Sequence, residues 1–161
     1  MPISVLTCRT LQFCNLTSTH VNSRINPAQL ARTANAAFLR DALLRTRERT
    51  LGLLADYVAV LGEQCQVPRR PELNPPLWEI CHVAWFQDWW LARNPDWALG
   101  VNCGHQAAKL PSRLPNADAR LNSSTIAHDT RWEIGLPDLH GTRRYLAEVL
   151  TDTLALLDQA D

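Results

Sequence analysis

Residues 74 to 90 read Asn74-Pro75-Pro76-Leu77-Trp78-Glu79-Ile80-Cys81-His82-Val83-Ala84-Trp85-Phe86-Gln87-Asp88-Trp89-Trp90. Proline is tolerated in the first helical turn, where its missing N–H would have no acceptor. A helix is therefore expected to start at Asn74 or Pro75 and to run from about Pro76 to Arg93, where Asn94-Pro95 forbids continuation. The segment is apolar almost all round, as expected of a helix in the middle of a bundle. Trp78, His82, Trp85, Phe86 and Trp89 fall on neighbouring turns. The imidazole is thus expected to project from an aromatic face toward the bundle axis, out of water.

Upstream, Gln66 to Pro76 contains Pro68, Pro71, Pro75 and Pro76 and reads as a connecting loop. Before it, Asn26-Pro27 has the form of an N-cap with proline in the first turn, and no further proline appears until Pro68, so one long helix is expected. Phe38, Leu39, Ala42, Leu43, Thr46, Thr50, Leu53, Leu54, Tyr57, Val58 and Leu61 keep the three-and-four spacing of a buried stripe. Arg40, Arg45, Arg47, Glu48 and Asp56 fall largely off it, on a solvated face. Residues 1–25 are Ser/Thr-rich without periodicity and read as a disordered or wrongly assigned leader, which leaves 26–161 as the domain.

Downstream, residues 94 to 137 carry Pro95, Pro111, Pro115 and Pro137 with little periodicity, a long irregular excursion. A third helix begins near Pro137-Asp138 and presents Leu139, Tyr145, Leu146, Val149, Leu150, Thr153, Leu154 and Leu157. No internal repeat interrupts this order. The fold class is all-α: an up-and-down bundle of three long helices with one long loop between the second and third.

Among the 161 residues, 46% are hydrophobic and 20% charged, the balance of a globular domain able to bury its own core. Basic and acidic residues number 16 each, so no net field draws nucleic acid or an anionic membrane surface. No apolar run reaches the roughly 18 residues of a membrane span. The cysteines Cys8, Cys14, Cys65, Cys81 and Cys103 show no C-x-x-C spacing, which fits reduced thiols in a cytoplasmic protein.

Several side chains could carry chemistry. Histidine is the commonest side-chain ligand of transition metals, and bundle cores build such sites from inward residues on facing helices. By spacing alone, however, a lone histidine such as His82 is more often a hydrogen-bonded core residue. His128-Asp129 has the composition of an oriented acid-base pair, although adjacent loop residues need not face each other. His140, in the first turn of the third helix where the dipole disfavours positive charge, takes no role. Cys65 and Cys81 sit in apolar contexts that raise a thiol pKa and argue against nucleophilic catalysis.

The run Asn74 to Glu79 with His82, Trp85 and Phe86 resembles the first helix-loop-helix of the DinB-like domains at the head of ergothioneine-type sulfoxide synthases. Those domains show S-P-x-x-W-x-x-x-H followed by W-F. Trp89-Trp90-Leu91-Ala92-Arg93-Asn94 brings the chain nearest the selenoneine synthase branch. Asn122 to Trp132, with Ala127-His128-Asp129-Thr130-Arg131-Trp132 at its end, resembles the loop before that branch's third helix. Together the matches span residues 35 to 161.

The resemblance implies that His82 is one of three protein ligands to a non-haem iron(II), which activates dioxygen so that a sulfur or selenium donor is coupled to the imidazole ring of trimethylhistidine. The substrate so implied is a small molecule, and because a guanidinium and an indole suit its carboxylate and trimethylammonium groups, Arg131 and Trp132 are candidate substrate contacts, with His128 a weaker third. The alternative is an arginine tied to a bundle carboxylate and a tryptophan capping the core. The family's other two ligands belong to an H-x-x-x-H-x-E motif on the next helix, and nothing of that form occurs here. Nor does the C-terminal domain, similar to the formylglycine-generating fold. A fragment missing its fourth helix, catalytically silent and without stably bound iron, is the resulting expectation. Two rivals stand beside it: a stand-alone DinB-like metal-dependent thiol transferase, and a non-catalytic interaction module. The module would self-associate through Leu146, Val149 and Leu150, left partly unburied by the missing helix.

Overall fold

The computed structural model describes residues 26–104 and 107–160, and these contain helices and no strand. In chain order the α-helices are α1 (Pro27–Thr33), α2 (Ala36–Leu61), α3 (Pro76–Trp90), α4 (Ala117–Leu121) and α5 (Leu139–Leu157). Two short 3-10 turns, Trp97–Asn102 and His128–Trp132, lie between α3 and α5. The all-α bundle expected from the sequence is observed, with α2, α3 and α5 as its long members. The leader proposed for 1–25 lies outside the described residues.

Local chemistry sets most of the boundaries. Asn35 accepts a hydrogen bond from the Phe38 N–H, an N-cap that begins α2 afresh. The single helix expected from Asn26 is thus two, broken at Ala34-Asn35. At the far end Gly62, with φ of 76°, takes the left-handed position that an L side chain resists, and α2 stops. In α3 the helix closes at Trp90 rather than Arg93, because the Arg93 N–H reaches back to the Asp88 carbonyl at 3.0 Å in a wider turn. Asp138 caps α5 by accepting from the Gly141 N–H at 2.7 Å. A β-carbon at position 141 would lie 2.9 Å from that of Pro137, so glycine lets this cap close.

The core lies where α3 packs on α5, with α2 across them. Cys81, Ala84 and Val149 are fully buried, and Leu146 and Trp78 nearly so, with Leu54 of α2 completing the contact. Two of the three residues expected on an uncovered face are buried, Leu146 at 1% and Val149 at 0% exposed, because α3 covers that side of α5, while Leu150 is half-buried. The exposed large apolar side chains on the long helices are instead Leu44, Leu53, Tyr57, Val60 and Leu61 on α2 and Val83 and Phe86 on α3. In α2 the inward line runs through Leu43, Arg47, Leu51, Leu54 and Val58. Arg47, expected on the solvated face, is buried, and its guanidinium donates to Gln87 Oε1 of α3 at 2.7 Å.

The long excursion is less irregular than its prolines suggested. It contains α4 and both 3-10 turns, and Leu114, Ala117 and Leu121 keep a helical spacing that signals α4 in retrospect. Ala117 and Leu121 are buried against α3. No helix among the described residues is long and apolar enough to cross a membrane.

Candidate functional site

One residue along a helix is a rotation of about 100°. Cys81 therefore faces α5, with its sulfur 3.5 Å from Thr142 Oγ1, while His82 faces α4. The imidazole does not point to the bundle axis but lies half-buried in an aromatic stripe beside it. Its ring stacks on Trp78 at 4.9 Å and 11° between planes, and on Trp85 at 5.6 Å and 21°. Phe86 meets it edge-on at 6.3 Å.

His82 Nδ1 lies 2.7 Å from the Leu121 carbonyl of α4. A carbonyl only accepts, so Nδ1 carries the proton and, in the neutral ring, Nε2 keeps its lone pair. Both flanking indoles also donate into α4. Trp78 Nε1 donates to the Arg120 carbonyl at 3.0 Å and Trp85 Nε1 to Asp118 Oδ1 at 2.7 Å. Three donors on successive turns of α3 thus end on one short helix.

Arg131 reaches the same indole from elsewhere. Its guanidinium carbon sits 4.2 Å from the Trp78 ring centroid, and Nη1 donates to Asn74 Oδ1 at 2.8 Å. Its Nε is buried without a hydrogen-bond partner among the described residues. Asn74 in turn donates to Glu79. Arg131 and Trp132 line a cleft of about 590 Å³ between the 63–67 turn and the start of α5, whose apolar wall includes Leu77, Ile134 and Leu139. Glu63 and Asp138 stand on its other margin.

His82 and Arg131 therefore meet at Trp78, whereas the remaining candidates do not join them. His128 places Nε2 2.7 Å from the Leu73 carbonyl rather than on Asp129, and its ring meets Trp132 at 5.3 Å. Trp132 Nε1 donates to the Val67 carbonyl at 3.0 Å, so this turn pins the 66–75 loop. His140 is exposed. Burial pushes the Cys81 thiol up, opposing thiolate chemistry there.

Sequence reading missed a polar cluster around Arg93, which is 5% exposed. Arg93 binds the Asp118 carboxylate with two bonds of 2.8 Å, donates through Nε to the Leu110 carbonyl at 2.6 Å, and lies 4.0 Å from Asp88. Asp88, 1% exposed, accepts from Ser112 Oγ at 3.0 Å and from the Tyr145 hydroxyl at 3.4 Å. Burial raises the Asp88 carboxyl above its ordinary range despite Ser112 and Arg93. The hydrogen bond from Arg93 holds Asp118 below it, and burial pushes the Tyr145 phenol up.

As a metal ligand His82 has the right donor state, but among the described residues no three His, Cys, Asp or Glu side chains gather into a group that could hold an ion. The site as described is one oriented imidazole in an aromatic setting, with an arginine sharing one of its tryptophans. The chain matches no curated protein. The family model for the DinB superfamily matches residues 42–161, from within α2 through α5. The all-helical bundle and that match agree, and the chain belongs to the DinB superfamily.

Proposed function

We propose that this chain supplies one ligand, His82, to a non-haem iron(II) centre in a DinB-like synthase domain that couples a sulfur or selenium donor to the imidazole ring of trimethylhistidine. The observation that carries this reading is the Leu121 carbonyl on Nδ1, which leaves the Nε2 lone pair for a metal. Metal-bound histidines are commonly oriented this way, by a backbone carbonyl on the other ring nitrogen. One imidazole does not hold iron(II) against water and competing metals. On this reading the other donors come from a segment carrying the H-x-x-x-H-x-E motif, which does not occur in these 161 residues, so by themselves they are expected to be catalytically silent.

When bound, iron supplies open coordination positions for dioxygen and the sulfur or selenium donor. The chain's own residues do the rest. Trp78 and Trp85 hold the imidazole plane by stacking on it. Arg131 suits a substrate carboxylate and Trp132 a trimethylammonium group, each facing the cleft beside Trp78, with His128 packed against Trp132.

The test joins the chain to the complementary part of a related synthase and measures iron by elemental analysis after anaerobic loading. The chimera should hold iron, and His82→Ala should lose it while keeping most of its helicity, since removing one imidazole costs about 1–3 kcal/mol. If the alanine chimera keeps its full iron content, His82 is only a core histidine. If the 161 residues alone hold stoichiometric, chelator-resistant iron, the ligand set is wrong, with His128 the first to examine.

A second reading, self-association as an interaction module, is favoured by one observation. Leu53, Tyr57 and Val60 are 53%, 44% and 82% exposed and, with Leu61, line an apolar groove on α2. Sedimentation velocity should show a dimer that Val60→Asp disperses without loss of helicity. A strictly monomeric wild type that binds no hydrophobic dye removes this reading.

A further inference from the structure

The bond that fixes the His82 tautomer comes from α4, a helix of only five residues. So short a helix does not hold itself in water, and its first residue is preceded by Asn116 in a left-handed conformation without a side-chain cap. The position of the Leu121 carbonyl must therefore be set by what holds α4 against α3.

That anchorage converges on Asp118. Its carboxylate takes both bonds from Arg93 and the Trp85 N–H, so it joins α4 to the end of α3 and to the indole stacked on His82. Leu121 lies three residues further on, one turn along the helix. Arg93 is itself fixed, because its side chain donates to the Leu110 carbonyl and its own carbonyl accepts from the Leu110 N–H at 2.8 Å. Bidentate arginine–carboxylate pairs define direction as well as distance.

We propose that Asp118, clamped by Arg93, is the positioning residue for His82: it holds α4 so that the Leu121 carbonyl stays on Nδ1 and the lone pair stays on Nε2. The use of that lone pair for metal rests on the function proposed above, whereas the clamp itself rests on geometry alone. Other contacts also hold α4, namely the Trp78 N–H on the Arg120 carbonyl and the burial of Ala117 and Leu121 against α3, but none of them ties α4 to the end of α3 as the Asp118–Arg93 pair does.

The experiment reads the tautomer of His82 directly, by long-range proton–nitrogen correlation on the nitrogen-15-labelled 161-residue chain at alkaline pH, with His82→Ala assigning the signal. The wild type should show the Nδ1–H form. Asp118→Ala should lose it, toward the Nε2–H form that free histidine prefers. Asp118→Asn, which keeps an acceptor for the Trp85 N–H, should show a mixture. Asp152→Asn breaks a like-built pair elsewhere, where Arg113 grips Asp152 at 2.5 and 2.7 Å, and should leave the tautomer unchanged.

An Nε2–H signal in the wild type, or an Nδ1–H signal that survives in Asp118→Ala, overturns the clamp. Should Asp118→Ala fail to fold, Asp118→Asn decides: a wild-type tautomer there overturns the proposal and a mixture supports it. In the iron-binding chimera Asp118→Ala should weaken metal affinity about 10–100-fold, the usual range for a lost orienting partner. A tautomer that responds to Asp118 in a chimera that takes up no iron keeps the clamp and discards the iron reading, so the two failures are separable.

Discussion

Helices α2 and α3 are both rich in large apolar side chains, yet they bury them very differently. Of the 26 residues in α2 only Arg47 and Leu54 are buried, whereas α3 buries seven of its 15. The cause is neighbours rather than composition. α3 is packed by α5, α2 and α4 on successive faces, while α2 meets the bundle along one line and leaves Leu53, Tyr57 and Val60 outside. The polar residues each helix buries follow the same division. Asp88 of α3 finds two hydroxyls and a guanidinium, but among the described residues Arg47 of α2 finds only Gln87, and its Nη1 has no hydrogen-bond partner there. Burial accordingly depresses the Arg47 pKa. An element wrapped on several sides can satisfy a buried charge, and one at the edge does so poorly.

The largest expected effect tests that contrast. Trp78 is 1% exposed and stacks with both His82 and Arg131, so Trp78→Ala should cost about 3–5 kcal/mol, the range for truncating a buried aromatic. Tyr57→Ala, on the open side of α2, should stay within about 0.5 kcal/mol. Urea denaturation followed by circular dichroism compares the two. Equal costs would break the comparison and mean that α2 is covered in solution.

The same contrast explains what could be read from the sequence. The starts of α3 and α5 were legible, because Pro75-Pro76 fix their own backbone and lack N–H groups to place, and Asp138 caps α5 through a bond within one turn of itself. The inward line of α2 was not. Apolar residues at 43, 44, 51, 53, 54, 57, 58, 60 and 61 surround much of the helix, so periodicity alone admits several faces, and only Gln87 on the partner helix selects the one with Arg47. The aromatic turns around His82 were legible, but spacing alone made it a core histidine, and only the resemblance of the Asn74 to Phe86 run made it a candidate ligand. Its orienting partner was not legible, because Leu121 is 39 residues away, inside a proline-rich stretch whose order depends on Arg93 meeting Asp118. Local caps are written in neighbouring residues, whereas a clamp between a helix end and a loop appears only when the chain has folded.

The smallest effect sharpens the comparison within α3's own surroundings, since Asp88 and Asp118 lie against the same arginine and shift in opposite directions. Asp88, raised above its ordinary 3.8 chiefly by burial, binds its proton more tightly folded than unfolded. Between 3.8 and that higher folded value, stability therefore falls as pH rises. Above this window the ionised form is a standing cost. Asp88→Asn, which can still bond Ser112 and Tyr145, should match or exceed the wild type at neutral pH and lose that advantage as the medium is acidified through the window. Asp118 is lowered chiefly by the Arg93 hydrogen bond, so its contribution is present above 3.8 and is lost as pH falls through the folded value. Asp118→Asn should be weaker than wild type at neutral pH, with a deficit that shrinks in acid. Added salt should shrink it too, because the Asp118 side chain is 47% exposed and screened. Urea midpoints measured across an acid-to-neutral series would show the two variants diverging from wild type in opposite senses. Parallel curves would mean that Arg93 treats both carboxylates alike, and that burial at Asp88 does not outweigh its partners.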